Sequence, residues 1–199
     1  MGKWSEHGSA TGGYYKCNKF EEMQKEDPNI KKQADAQAKA QHELQRYMFY
    51  YERYNNHERS AKLGKELRPV IEQKIKMLHE IKHYPDAELK FLSNSCLTVI
   101  KCRNVLKWTY AYGFYLDKDV PDDKKDVIHK NQFEHWQTEL ERFCDELHGI
   151  VEQNLDQYLD PNVIDRTPFF QYKAKLVGYA EATEQYFTNL VNGIDEYRL

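Results

Sequence analysis

The chain has 199 residues and a mass of 23.8 kDa, and its 29 basic and 32 acidic side chains give a net charge of −3 at pH 7. This balance excludes a protein built around a basic nucleic-acid-binding face, though not a local basic patch. No run of residues approaches the roughly 18 apolar residues of a membrane span, and the first residues lack the apolar segment of a signal peptide.

Four cysteines in a chain of this length do not form a disulfide framework, so we expect a reducing location, the cytoplasm or the nucleus. Charged residues make up 31% of the chain and the mean hydropathy is −0.90, which suits long amphipathic helices with much exposed surface. The 15 Tyr, 9 Phe and 3 Trp are too many for a disordered chain.

Glycines divide the chain into two regions. Four of the nine glycines lie within the first 13 residues, so residues 1–26 are predicted to be a short irregular segment. Residues 27–199 are predicted to form a helical domain. Its first helix begins at Asp27-Pro28, because Asp is a good N-cap and Pro loses no hydrogen bond at the first helical position.

The apolar pattern then predicts helices in succession. The first ends at a break near Leu63-Gly64, and the second covers about 65–82, with Pro69 in its first turn. A third helix, over about 86–116, is the most apolar and therefore the most central. The fourth covers about 123–159, where Pro161 interrupts it, and the last runs from Thr167-Pro168 to about Tyr197. The predicted fold class is all-α, an elongated antiparallel bundle of about five long helices.

His7 and Cys17 are the sharpest candidates for chemistry. Imidazole and thiolate on irregular backbone are typical of structural zinc sites, but a tetrahedral site needs four ligands. As an isolated pair they are more simply interpreted as unrelated surface residues. The zinc interpretation requires a second pair of ligands upstream of Met1.

Other patterns indicate packing rather than catalysis. Cys96, Cys102 and Cys144 lie on or beside apolar stripes and are predicted to be core residues. The only Glu-x-x-His pair, Glu80 and His83, sits at a helix end and is interpreted as solvated rather than as part of a two-metal site. No phosphate-binding loop, serine elbow or metalloprotease motif is present. The chain does not look like a self-sufficient enzyme.

Several stretches together resemble the Ariadne subfamily of RING-in-between-RING (RBR) ubiquitin ligases, at the end of the catalytic zinc domain (Rcat) and in the Ariadne domain that follows it. The resemblance covers about residues 4–199, and beyond Leu116 it is mostly one of pattern. The stretches are WSEHG at 4–8, YKCN at 15–18, QRYMFY at 45–50, RYNNH at 53–57, Cys102-Arg103, Thr109-Tyr110 and FYL at 114–116.

The resemblance implies that residues 1–26 are the tail of Rcat plus a linker, and that residues 27–199 are the Ariadne domain. It also implies that His7 and Cys17 are the last two ligands of an Rcat zinc, whose other ligands and catalytic cysteine lie upstream of Met1. We therefore expect zinc in the full-length protein and none tightly bound by this fragment, which lacks half of the site. The fragment itself would not be an enzyme.

Family membership further implies that ubiquitin passes through a cysteine thioester, and that the Ariadne domain docks on its own Rcat and holds the ligase inactive. The expected partners of the full-length protein are a ubiquitin-conjugating enzyme and a neddylated cullin–RING ligase, with no nucleic acid or membrane. The predicted regulatory interface comprises Leu63 and Gly64, where the family has an aromatic residue and an acid, together with Thr138 and Glu139. The alternative hypotheses are a helical scaffold unrelated to ubiquitin and a two-metal helical enzyme.

Overall fold

The computed structural model describes residues 28–119 and 124–197, which form four long helices without a strand. They are α1 (Pro28–Lys82), α2 (Asp86–Asp119), α3 (Lys124–Val151) and α4 (Thr167–Tyr197), with a 3-10 turn at Asp156–Tyr158. The all-α prediction is confirmed. None of these described helices is both long and apolar enough to cross a membrane.

The chain divides into two compact units, residues 1–49 and 50–199. In the first unit, the described residues are the helical stretch 28–49. Most of its side chains are exposed to solvent, including the apolar Leu44 and Met48. The second unit contains the packed helices and is described below.

α1 is continuous through the position where we predicted a break. It runs through Leu63, Gly64 and Pro69 to Lys82, so the predicted division at Leu63-Gly64 is wrong, and the described residues form four long helices rather than five. A glycine costs a helix only about 1 kcal/mol relative to alanine. The contact of the buried Gly64 with Ile100 of α2 offsets this small cost, and the helix stays continuous.

Neighbouring helices run antiparallel. The contacts between α1 and α2 pass from Tyr50–Phe114 at one end to Gly64–Ile100 further along. The same reversal relates α2 to α3 and α3 to α4, in the pairs Thr109–Gln137, Arg103–Asp145, Trp136–Gly193 and Ile150–Tyr172. Residues 50–197 therefore form an up-and-down four-helix bundle.

Buried side chains form two clusters along the bundle, and α2 contributes to both, which confirms its central position. One cluster includes Leu78, Leu89, Leu92, Leu147 and Leu176, and the other includes Cys102, Leu106, Phe133, Leu140 and Leu190. The three cysteines predicted to be core residues are all free and buried.

α3 ends at Val151, earlier than the predicted end near residue 159. The backbone turns there, with the Gln153 N–H bonded to the Ile150 carbonyl at 3.2 Å. Leu155 and Leu159 are then buried in the first of the two clusters. This burial of leucines in a non-helical segment explains why the apolar pattern continued past the end of the helix.

The segment between α3 and α4 is attached to the end of α1. The buried ammonium of Lys82 donates to the main-chain carbonyls of Asp160 at 2.7 Å and Val163 at 2.5 Å. Arg166 donates in turn to the Lys82 carbonyl at 3.1 Å, and its guanidinium lies 4.9 Å from the centre of the Tyr84 ring. Residues 160–166 are thereby fixed in place.

Candidate functional site

The predicted zinc ligands His7 and Cys17 lie outside the described residues, and their role stays a prediction. Within residues 28–119 and 124–197, no group of three or more His, Cys, Asp or Glu side chains is arranged to hold a metal ion. In the Glu80-x-x-His83 motif, Glu80 is exposed on α1, whereas His83 follows the helix with a φ of 56°. The two residues therefore do not present ligands from one helical face.

Leu63 and Gly64 differ sharply in their surroundings. The Leu63 side chain is 49% exposed, so it is available on the surface of α1. Gly64 is buried: its carbonyl accepts a hydrogen bond from Cys96 Sγ at 3.6 Å, and a Cβ at this position would lie 3.1 Å from Ile100 Cγ1. Gly64 serves the close packing of α1 against α2, and only Leu63 offers a side chain to a partner.

Thr138 and Glu139 lie on α3. Thr138 is exposed, and its hydroxyl donates to the Glu134 carbonyl of the same helix at 2.7 Å. Arg142 donates to Glu139 at 2.6 Å, and this hydrogen bond holds the pKa of the carboxyl below its usual value. The Arg142 guanidinium also lies 4.2 Å from the centre of the Phe143 ring, which fixes the pair on the surface.

The structure thus gives the two predicted pairs different neighbours. Leu63 and Gly64 lie beside α2, whereas the ring of Phe143, next to the Glu139–Arg142 pair, stacks on Tyr186 of α4 at 5.0 Å. A partner that touches both pairs would therefore contact both α1 and α3.

A buried polar cluster joins three helices, although it was not among the predicted sites. It comprises His57 on α1, Arg103 and Tyr110 on α2, and Glu141 and Asp145 on α3. Arg103 Nη1 lies 3.3 Å from His57 Nδ1, and Nη2 donates to Asp145 at 2.5 Å. His57 and Arg103 are only 2% and 6% exposed, so these two side chains have little access to solvent, whereas the Asp145 carboxylate is 59% exposed.

Hydrogen bonding defines the protonation of this cluster. Because arginine can only donate, His57 Nδ1 accepts and the ring proton lies on Nε2, which is 3.3 Å from Glu141 Oε1. The Tyr110 hydroxyl donates to the other oxygen of Glu141. Burial raises the pKa of Glu141, but the neighbouring His57 imidazole and the hydrogen bond from Tyr110 outweigh burial and leave the pKa below its usual value.

The remaining ionisable core groups are poor nucleophiles. Burial raises the pKa of the Cys102 thiol, and it raises that of Cys144 to about 12. Both side chains are therefore thiols rather than thiolates at neutral pH, and the thiolate is the reactive form. The contacts of His57, Arg103 and Glu141 connect α1, α2 and α3 inside the bundle.

His148 makes the stability of the bundle depend on pH. Burial lowers the pKa of this imidazole below 6.5, outweighing Glu152 at 3.4 Å. The unfolded chain therefore binds a proton at a higher pH than the folded chain does. We expect the full contribution to stability above about pH 6.5 and a progressive loss of stability as the pH falls below it.

Urea unfolding at pH 7.5 and pH 5.5 measures this loss, and His148→Gln should reduce the difference between the two values. His135→Gln changes an exposed histidine of the same helix and should leave the difference as it is. A difference that persists in full in His148→Gln would show that another group is responsible.

The chain is similar to known proteins over nearly its whole length. The sequence model of the Ariadne domain matches residues 45–174. The chain is 36% identical over 198 residues to the "Probable E3 ubiquitin-protein ligase ARI8" of Arabidopsis thaliana, covering 98% of this chain and 33% of that protein. It is 34% identical over 196 residues to "Probable E3 ubiquitin-protein ligase rbrA" of Dictyostelium discoideum, covering 97% and 34%.

A third relative is "E3 ubiquitin-protein ligase ari-1.1" of Caenorhabditis elegans, which is 31% identical over 181 residues, covering 89% of this chain and 33% of that protein. The chain therefore spans about a third of the length of the curated relatives it matches. The match to the family model includes all four residues of the predicted regulatory interface.

Proposed function

The chain belongs to the Ariadne domain family, and we propose that it is the regulatory, protein-binding domain of an RBR-type E3 ubiquitin ligase. The match over residues 45–174 carries this proposal, because it extends from α1 into α4 and thus covers most of the bundle. Similarity to ligases over 98% of the chain supports it. The alternative of a helical scaffold unrelated to ubiquitin has no comparable support.

In this proposal the bundle inhibits a ubiquitin-transfer reaction that takes place in another domain of the protein. Ubiquitin would pass to a cysteine as a thioester and then to a substrate amine. The proposal places that cysteine outside this chain, because the three described cysteines are buried and the pKa of each thiol is raised. Cys17 is assigned instead, with His7, to a zinc site of the full-length protein.

The inhibition depends on an equilibrium between a docked form, in which the bundle is bound to the Rcat domain, and an undocked form. Leu63 is the favoured anchor, because it is a half-exposed apolar side chain on a continuous helix. Glu139 and Thr138 would supply polar contacts from the separate surface of α3. Gly64 cannot supply the carboxylate of the family pattern, so the docked state is expected to be weaker or to depend more on Leu63.

An activator shifts such an equilibrium only if it prefers the undocked form. We assign that role to a neddylated cullin–RING ligase, with a ubiquitin-conjugating enzyme as the donor to the full-length protein. Both partners and the zinc of the full-length protein belong to this proposal through the family resemblance, and the reducing cytoplasmic or nuclear location is proposed from the low cysteine count.

The test is ubiquitin discharge from an isolated Rcat domain of an RBR ligase, loaded as the thioester and mixed with the 199-residue chain. The chain should slow discharge to a free amine several-fold at saturation. Leu63→Asp should weaken the inhibition at least about tenfold, since a charge would be buried against an apolar contact. Ile81→Asp is the matched control, because Ile81 is a 39% exposed apolar residue further along α1.

If the unmodified chain has no effect at saturating concentration, the autoinhibitory function is wrong. If Leu63→Asp inhibits as strongly as the unmodified chain, Leu63 is not the anchor. Circular dichroism of each variant separates loss of docking from loss of folding.

A further inference from the structure

Two side chains of α3 bind α2 on either side of the two predicted interface residues of α3. Gln137 Nε2 donates to Thr109 Oγ1 at 2.8 Å, and the Glu141 carboxylate accepts a hydrogen bond from the Tyr110 hydroxyl. Because Thr109 and Tyr110 are consecutive residues of α2, α3 is held against α2 at two points about one helical turn apart. We call Gln137 and Glu141 the anchoring residues.

The contacts of the anchoring residues with α2 are directional and lie inside the bundle. Thr109, Tyr110 and Gln137 are 2%, 5% and 7% exposed. The Thr109 hydroxyl, which accepts from Gln137, donates its own proton to the Leu106 carbonyl at 2.8 Å. A hydrogen bond needs a narrow range of distance and angle, whereas apolar packing has no preferred direction. These bonds therefore fix the rotation of α3 about its axis more closely than the packing of its leucines does.

The anchoring residues also determine which way the predicted interface residues of α3 face. Gln137 and Glu141 lie on one side of the helix, because residues four apart are neighbours on a helical surface. Each residue advances the helix by about 100°, so Glu139 lies nearly opposite to both of them. Thr138 lies between these two sides and is exposed. A rotation of α3 would therefore move both residues relative to a partner.

Glu141 connects α3 with α1 as well. Its Oε1 lies 3.3 Å from His57 Nε2, and His57 precedes Leu63 on the same continuous helix by about 9 Å along the axis. A partner that binds Leu63 and Glu139 together needs a fixed spacing between α1 and α3. The contacts of Glu141 with α1 and α2 supply a polar link that sets this spacing.

We propose that Gln137 and Glu141 are positioning residues for the inhibitory docking on Rcat. Held by Thr109, Tyr110 and His57, they give the exposed side chains of α1 and α3 the orientation and spacing that docking requires. A binding site needs its side chains to be placed within about 0.5 Å and 10–20° of the productive geometry. This positioning role rests on the proposed function, which assigns the docking to the surfaces of α1 and α3.

The Thr109→Val/Tyr110→Phe variant tests the role, because it removes both hydroxyls on α2 and changes no residue of the predicted interface. Inhibition is measured as ubiquitin discharge from a thioester-loaded Rcat domain over a range of concentrations of the 199-residue chain. The variant should inhibit with an affinity at least about fivefold lower than that of the unmodified chain. Thr109→Ser keeps the hydroxyl and should inhibit like the unmodified chain.

Thr98→Val/Tyr172→Phe is the matched control, because it removes the same two kinds of buried hydroxyl from other contacts between helices. Thr98 donates to Glu184 at 2.9 Å, and Tyr172 donates to the Ile150 carbonyl at 3.3 Å. Urea unfolding measures the stability that each double variant loses. The control should inhibit like the unmodified chain even where its loss of stability is similar.

The positioning role is wrong if Thr109→Val/Tyr110→Phe inhibits as strongly as the unmodified chain. It is also wrong if the control loses inhibition to the same extent, since inhibition would then follow stability alone. An unmodified chain that does not slow discharge overturns the proposed function and the positioning role together, so the two failures are distinct. If the double variant does not fold, Tyr110→Phe alone keeps the ring and is compared with Tyr172→Phe.

Discussion

Replacing Gly193 with leucine is expected to lower the free energy of unfolding by about 3 kcal/mol, or to prevent folding. Gly193 is buried on α4 against the indole of Trp136 on α3. A Cβ at this position would lie 2.2 Å from Cζ3 and 2.9 Å from Cε3 of that ring, so even one added carbon overlaps the indole. The two helices must separate or Trp136 must leave its position.

Gly178 provides the matched control on the same helix. Apart from the adjacent residues and backbone of its own helix, no atom lies within 4 Å of a Cβ built there, so Gly178→Leu removes only a helix-destabilising glycine. It should raise stability by up to about 1 kcal/mol. Urea unfolding of both variants measures the contrast.

A second substitution identifies the cause. Trp136→Leu in the Gly193→Leu background removes the overlapping ring and should recover part of the lost stability, which is a coupling between neighbouring sites. If Gly193→Leu is as stable as the unmodified chain, the close approach of α3 and α4 at Trp136 is wrong.

Most of the helix starts could be predicted from local chemistry, because they depend on neighbouring residues. Asp86 and Thr167-Pro168 each mark a start, and α2 and α4 begin at Asp86 and Thr167. The break predicted at Leu63-Gly64 failed because a glycine has the same local signal in a loop as in a tight helix contact. Only the presence of Ile100 on another helix distinguishes the two cases.

The same limit explains the end of α3. Leu155 and Leu159 continue an apolar spacing, but their burial comes from a turn and not from a further helical turn. The periodic signal reports burial, and it does not report which backbone conformation achieves burial.

The polar cluster could be found only in part. His57 and Arg103 fall within the stretches that resemble the Ariadne family, yet a polar residue on a helix is ordinarily solvent-exposed. Their pairing depends on α1, α2 and α3 meeting at one level, which is information held by the tertiary structure. Tyr110 is buried in the cluster, whereas Trp108, two residues earlier on α2, is 61% exposed.

Removing the guanidinium of Arg103 is expected to cost about 3 kcal/mol of stability, because Arg103→Met takes the donor from the buried His57. His57 then keeps its contact with Glu141 but has an unpaired Nδ1 in a dry environment. The loss of the Asp145 contact adds less, since that carboxylate is 59% exposed and can be solvated.

Arg68→Met is the matched control, since Arg68 pairs with Glu72 on the surface of α1 at 3.0 Å with both side chains about half exposed. It should cost no more than about 0.5 kcal/mol. The two variants are expected to differ because Arg103 is buried and Arg68 is about half exposed, not because they lose different numbers of ion pairs.

A double-mutant cycle with His57→Leu decides whether the cluster acts as a unit. If Arg103 stabilises the bundle through His57, removing both should cost less than the sum of the single changes, by at least about 0.5 kcal/mol. The Nε of Arg103 has no hydrogen-bond partner among the described residues. Burying this nitrogen costs free energy, and the Arg103→Met substitution removes that cost. If Arg103→Met is instead nearly neutral while His57→Leu is strongly destabilising, the arginine does not hold the three helices together, and the imidazole alone does.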